Sequence, residues 1–340
     1  MKRLTIQRKL YLARRARRAD RLRWKRRRKP QVASLRALGF ARVRAPRAFS
    51  VHGDRPRHEL LTFLAEVRER LVVDRVPLEV DFTLTQRMLA GGTLLFLAEL
   101  HRCKEMLDGY LRVRCILPRN VKVAQVLKQI GILALLNCHK KIAPTFSDVI
   151  HWRYALGHQV EGEKYINILG SYEGRVAETL LSSLFKGVTE AMTNCHHHAY
   201  IGIRPDGLNY QDQKRNWWMF SQERNGYLSV VFCDLGVGIP TTVPAKKPGV
   251  WKKLLSMGKA GSDSSIIEEA VQDAISRTGK GYRGKGLKQL IDAVRAYDDG
   301  NLIILSNRGS YMFTNAKVQL RDYGNSIFGT LIQWRVPITR

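Results

Sequence analysis

The sequence predicts an α+β protein built in three parts. These are a basic N-terminal arm, a small α/β domain, and a C-terminal sandwich in which a mixed sheet carries helices on one face. Three observations predict this. Residues 1–60 hold 21 Lys and Arg against three acids, so +18 of the net charge of +29 lies in the first sixth of the chain. From Glu59 to Ile142, strand-like alternation and helix-like spacing follow one another in turn. Beyond Tyr172 a long amphipathic stretch precedes a hairpin signal, Asn225-Gly226, and two further apolar strands.

At 340 residues and 44% hydrophobic, the chain is long enough for two domains with real cores. No apolar run approaches the ~20 residues of a membrane span. Five cysteines stand singly, without CxxC spacing, which argues against a disulfide framework or a zinc ribbon and for a reducing, cytoplasmic setting.

Residues 1–58 read as arm and linker, with Pro30, Pro46 and Pro56 as punctuation. A run this basic suits a polyanion, because each phosphate neutralised releases condensed counterions. Nucleic acid or a ribonucleoprotein is therefore the expected partner of the arm; a solvated tail is the alternative. The arm holds no RRM, KH or zinc-finger signature and few aromatics for base stacking.

Within 59–142, "HELLTFLAEVRERL" predicts a helix and "PLEVDFTL" a strand. "AGGTLLFLAELHRCKEML" predicts a glycine turn opening a second helix, "LRVRCILP" a strand and "VAQVLKQIGILALL" a third helix. This order resembles a STAS domain, the fold of anti-sigma-factor antagonists, which implies a protein partner. Phosphorylated members of that family carry a serine at the turn before the first long helix. Here the turn is Ala90-Gly91-Gly92-Thr93.

Residues 143–171 read as a connector and 172–340 as the second domain. Its long helix, 172–200, has an apolar stripe of Leu181, Leu184, Phe185, Val188, Met192, Cys195 and Ala199. Glu190, Asn194 and His198, four apart, form a row opposite that stripe. The triplet His196-His197-His198 invites a metal reading, but three consecutive histidines cannot converge on one ion from a regular helix, and a zincin pattern needs histidines four apart. A solvated polar face is the plain alternative for that row. "VVFCDLGVGIP" is an apolar strand ending in Asp234, followed by Gly236 and Gly238. A carboxylate there can accept from an exocyclic amine while the glycine backbone closes over a flat ring. "GYRGKGL" puts Gly284 and Gly286 at an expected helix N-terminus, where free N–H groups suit phosphate.

Taken together, in this order, these segments resemble the GHKL ATPases, the Bergerat-fold (HATPase_c) group that includes gyrase, heat-shock chaperones and histidine kinases. "TEAMTNCHHHAY" is similar to the family's E-x-x-x-N-A-x-x-H box, with Cys195 in place of alanine. "DLGVGIP" is similar to D-x-G-x-G, "RGKGL" to the second glycine box, and "FGTLIQWRVPI" to the closing strand. The wording is closest to the anti-sigma-factor serine kinases. The resemblance implies ATP and Mg²⁺, with Glu190 as general base and Asn194 as the magnesium ligand. It implies His198 near the phosphates or ribose, Asp234 on the adenine amino group, and Gly236, Gly238 and Thr330 in the nucleotide pocket. Residues 241–283 would be a mobile lid, Gly284, Gly286 and Leu287 its phosphate-binding exit, and Arg283 and Lys285 added charge at the γ-phosphate.

The expected function is an ATP-binding regulatory ATPase whose lid closure controls a partner, in a setting such as a bacterial mobile-element or defence system. The alternatives are a serine/threonine kinase of the anti-sigma type acting in trans, and a non-catalytic ATP-dependent binding module. Homodimerisation is expected by analogy with GHKL domains.

Overall fold

The computed structural model describes residues 39–338, except 108–111, 209–214, 277–290, 292–293, 295–299 and 315–316. The chain is α+β, as its patterning predicts. Its N-terminal unit holds three parallel strands, β1 (Ala41–Arg44), β3 (Leu78–Asp81) and β5 (Val113–Ile116), in the order β1-β3-β5. Two-residue strands β2 (Ala48–Phe49) and β4 (Arg87–Met88) pair beside it. Helix α1 (Asp54–Arg68) connects the first strands, α2 (Ala90–Met106) the next, and α3 (Val121–Gln129) follows β5.

The C-terminal unit is a seven-stranded sheet in the order β11-β10-β9-β12-β8-β7-β6. Its strands are β6 (Arg153–Gly157), β7 (Trp217–Arg224), β8 (Tyr227–Asp234), β9 (Asn301–Ser306), β10 (Gly309–Thr314), β11 (Lys317–Asp322) and β12 (Thr330–Pro337). Its helices are α4 (Gly162–Leu169), α5 (Glu178–Asn194), α6 (Ile239–Lys246), α7 (Pro248–Ser256) and α8 (Asp263–Ser276).

Several expectations need correction. The large sheet is antiparallel at every pairing rather than mixed. Hairpins join β7–β8, β9–β10 and β10–β11, and β12 enters between β8 and β9 antiparallel to both. Helices also cover both faces of this sheet, not one. On the front, α5 and α8 pack with Trp217, Met219, Phe232, Ile304 and Trp334. On the back, α2 packs with Trp218, Phe220, Val231, Cys233 and Leu331, in a core shared with Val43, Val80 and α1. Strand alternation explains the two faces, since odd and even positions of β7 and β8 are both apolar. Sandwiched this way, Leu94 through Leu100 are all buried.

Residues 41–58 belong to the folded body, not to a linker. The segment ARVR is a strand despite its charge because Arg42 and Arg114 reach Glu79 at 2.9 and 2.7 Å across the parallel sheet. Likewise the expected connector, 143–171, contributes edge strand β6 and helix α4, and the described part of the expected lid is built of three helices, α6–α8. The α6–α8 group has a small core of its own, Val243, Val250, Leu254 and Ile266, with Lys247–Asp273 and Lys253–Glu269 ion pairs at 2.7 and 2.6 Å.

A buried charge cluster ties the two units. Glu99 on α2 accepts from Arg204 Nη2 at 3.0 Å and meets Arg68 Nη1 of α1 at 3.2 Å; Arg102 and Asp206 complete the group. Burial alone would raise Glu99, but Arg204, Arg68 and Arg102 outweigh it and hold the carboxyl below its usual range. Three guanidiniums face two carboxylates, and both Arg68 and Arg204 lie 5.4 Å from the Phe328 ring. Glu99→Gln strips one of only two counter-charges and is expected to lower unfolding free energy by about 3–5 kcal/mol. Arg204→Met, which removes the surplus charge, should cost less although more side chain is lost; urea denaturation of both variants tests the order.

Candidate functional site

Helix α5 carries its apolar stripe against the sheet, and the opposite row bears Glu190 and Asn194. At Cys195 the helix widens into a single π turn, Cys195–Ala199. Such turns occur often where a helix serves a site. Its cause is visible in what holds its end. The Ala199 carbonyl accepts from Val237 N–H at 2.7 Å, and Tyr200 donates to Asn216 while accepting from Leu235 N–H at 3.2 Å. The Cys195 thiol is buried and points at the Arg215 and Asn216 carbonyls, 3.6 Å away. The helix end is thereby tied to the exit of β8.

Gly236 makes this tie sterically feasible. A Cβ there would lie 2.2 Å from the Ala199 carbonyl oxygen. At Gly238, with φ of +83°, a Cβ would meet the Asn307 carboxamide at 2.6 Å. The expectation that these glycines admit a flat ring therefore needs revision, because the space a side chain would take is filled by protein. Asn307 donates to the Val237 carbonyl at 3.0 Å and fixes the turn.

Between α5, the front of the sheet and α6–α8 lies a cavity of about 640 Å³. It brings together Glu190, Asn194, His198, Asp234, Gly238 and Thr330. Gly236 stands behind Asp234 and donates its N–H to Asp234 Oδ1 at 2.9 Å. Arg283, Gly284, Lys285, Gly286 and Leu287 lie outside the described residues. The cavity also takes in residues that helical spacing missed: His197, turned inward by the π turn, and Thr242 and Lys246 from α6. A wider turn shifts the row, which a strict 3.6-residue period cannot anticipate. Lys246 is exposed and forms no ion pair among the described residues. Among the described residues no group of three His, Cys, Asp or Glu converges as a metal cage.

Asp234 dominates the chemistry of the closed end. Burial pushes its carboxyl up to about 6, against the Gly236 N–H and the N–H and hydroxyl of Thr330, which hold it down. Ser306 shares the Thr330 hydroxyl at 3.1 Å and accepts from Ile239 N–H at 2.9 Å, so strand ends β9, β12 and the start of α6 meet here. Near neutrality the group is a buried carboxylate served by hydrogen-bond donors, with no cationic partner among the described residues. Apolar walls of Ile304, Ile332 and Val271 rise above it, and the amide, carboxylate and ammonium groups of Asn194, Glu190 and Lys246 stand elsewhere around the cavity.

Against protein-family models and curated protein sequences the chain gives no match. The volume and apolar lining of the cavity suit a small organic ligand, and an acceptor-only carboxylate in an apolar setting recognises a ligand N–H group. The residues thus fit a nucleotide with Mg²⁺: an amine-bearing flat base at Asp234, and an oxygen donor, Asn194, for the metal.

The raised Asp234 makes a stability prediction. Its folded value, about 6, lies above the ordinary 3.8. Stability from this group is complete below about 4 and is lost as pH rises through about 6, roughly 3 kcal/mol in all. Asp234→Asn should therefore unfold at higher denaturant than the parent at pH 7, with the advantage gone at pH 4; a denaturant series across that range reads it.

Proposed function

We propose that the protein is a Mg-ATP-binding regulatory ATPase, with the cavity under α5 as its nucleotide site and the basic arm as its contact with nucleic acid or ribonucleoprotein. The observation that carries this reading is the buried Asp234 carboxylate, without a counter-charge among the described residues, in the same cavity as Glu190 and Asn194. An isolated buried carboxylate is costly, and an adenine amino group is a partner that offsets the cost. Thr330 and Gly236 keep it ionised and aimed. Asn194 would hold Mg²⁺, which supplies charge compensation to the phosphates when bound. Glu190 accepts the proton of the attacking water, and Lys246 and His197 add donors on the phosphate side.

Hydrolysis is favoured over phosphotransfer within the chain by one feature of the N-terminal unit. The STAS-like turn lacks its serine, and Thr93, the hydroxyl nearest in sequence, is fully buried within the first turns of α2. A kinase reading therefore needs a substrate in trans. Lid action, in this reading, belongs to α6 and α7, which a small core and the Lys247–Asp273 and Lys253–Glu269 pairs join to the sheet-anchored α8.

Incubation with γ-labelled ATP and Mg²⁺ tests the proposal. Free phosphate is expected, lost in Glu190→Ala with ATP affinity kept, and lost in Asp234→Asn together with affinity. Label retained on protein would instead establish a kinase, and binding without either product a non-catalytic module. Because the acceptor must be ionised, ATP affinity should fall about tenfold per pH unit below about 6. Normal affinity in Asp234→Asn would overturn the site assignment. Deletion of residues 1–38, which spares β1, should abolish salt-sensitive polyanion binding and leave ATP affinity unchanged.

A further inference from the structure

The back face of the large sheet is apolar only as far as α2 covers it. Where that helix begins, the same face turns polar: Gln222 and Arg224 on β7, Ser229 on β8, Gln333 and Arg335 on β12. With His52 and the Leu89–Gly92 turn they enclose a second cavity, of about 280 Å³. Among the described residues no carboxylate lines it.

Three independent features make this an anion site. The first turn of α2 has neither a side-chain cap nor an acid, and helix geometry leaves the N–H groups of Ala90, Gly91 and Gly92 without intrahelical acceptors. These donors and the positive end of the dipole favour an anion. Two guanidiniums flank them. Arg224 forms no ion pair among the described residues, and Arg335 lies 3.8 Å over the Tyr227 ring, which holds it without neutralising it. Finally, Gln222 is only 9% exposed, lines the cavity, and has no described residue hydrogen-bonded to its carboxamide. Its carboxamide can donate to or accept from a molecule seated in the cavity. His52, held by Gln333, closes the same wall.

We propose that this cavity binds a small phosphate-bearing molecule, with the phosphate seated at the first turn of α2 between Arg224 and Arg335 and a ligand polar atom on Gln222. At under half the volume of the nucleotide cavity, it suits a ligand smaller than a nucleotide. The site lies on the opposite face of the sheet and does not depend on the ATPase reading. It joins the N-terminal unit to β7, β8 and β12, so a ligand there would bridge the two units.

Calorimetric titration of the full chain with pyrophosphate tests the proposal. Saturable binding with a dissociation constant of about 1 mM or tighter is expected. Arg224→Glu should weaken it at least about tenfold, and Asn194→Ala should leave it unchanged. Gln222→Leu should weaken binding without lowering the melting temperature of the ligand-free protein, which separates a ligand contact from a folding defect; circular dichroism checks the fold of each variant. Loss in Asn194→Ala alone would assign the pyrophosphate to the nucleotide cavity and overturn the proposal. Equal binding in all variants would assign it to the basic arm, and absence of saturable binding would equally overturn it.

Discussion

The contact between the Ala199 carbonyl and Gly236 decides where everything else in the larger cavity stands. It brings the end of a helix to van der Waals range of a strand exit, closer than any side chain would permit. From that contact follow the π turn that widens α5, the inward placement of His197 and the anchoring of Tyr200. The cavity keeps its depth because β8 and α5 cannot slide past one another without breaking the Val237–Ala199 hydrogen bond. A carboxylate can then be held at the closed end by two backbone N–H groups and the Thr330 hydroxyl, in a state that destabilises the protein near neutrality.

Much of this was legible in the sequence where period and turn chemistry coincide. Asn225-Gly226 marks the hairpin, and both residues adopt positive φ. Strands β3, β5, β8, β9 and β12 and helices α1, α2 and α5 follow from alternation or helical spacing. The row Glu190–Asn194–His198 and the strand-end Asp234 could be read together, and they line one cavity. What local pattern could not show was tertiary. The strand ARVR reads as part of a basic linker until Glu79 is placed between two arginines. Segment 239–276 is too polar and glycine-interrupted to advertise three helices, yet Asp322 of β11 accepts from Ser264 N–H at 2.8 Å and Ser262 Oγ at 2.6 Å, fixing the start of α8. Asn307, at φ +51°, fixes the Gly238 turn from 70 residues away.

The two units are not beads on a string. Arg57, buried in α1, donates to the carbonyls of Val51, Asn307 and Asn325 and stacks 4.2 Å from Tyr323, so the loop leading into β12 is gripped from the N-terminal side. Phe328 in that loop takes φ of +52° between two guanidiniums, immediately before the strand that carries Thr330. A non-glycine residue holds such a conformation only where its surroundings over-determine it. Trp218 donates to His101 at 2.9 Å, and burial with Lys104 nearby lowers that imidazole to about 4, so near neutrality it is a neutral acceptor. Apolar, cationic and hydrogen-bonded ties therefore run in parallel between the larger cavity and the unit that precedes it.

The sharing of one core between α2 and the large sheet also shapes the protein's birth. His101 and its partner Trp218 are 117 residues apart in the chain. At roughly 5–20 residues per second, ribosomal synthesis would leave the apolar surface of α2 waiting about 6–23 s for the strands that cover it. During that interval the nascent chain carries an exposed hydrophobic helix on its growing end. The stability gained by sandwiching a helix between two sheets is thus matched by a period of vulnerability to aggregation before the second sheet is made.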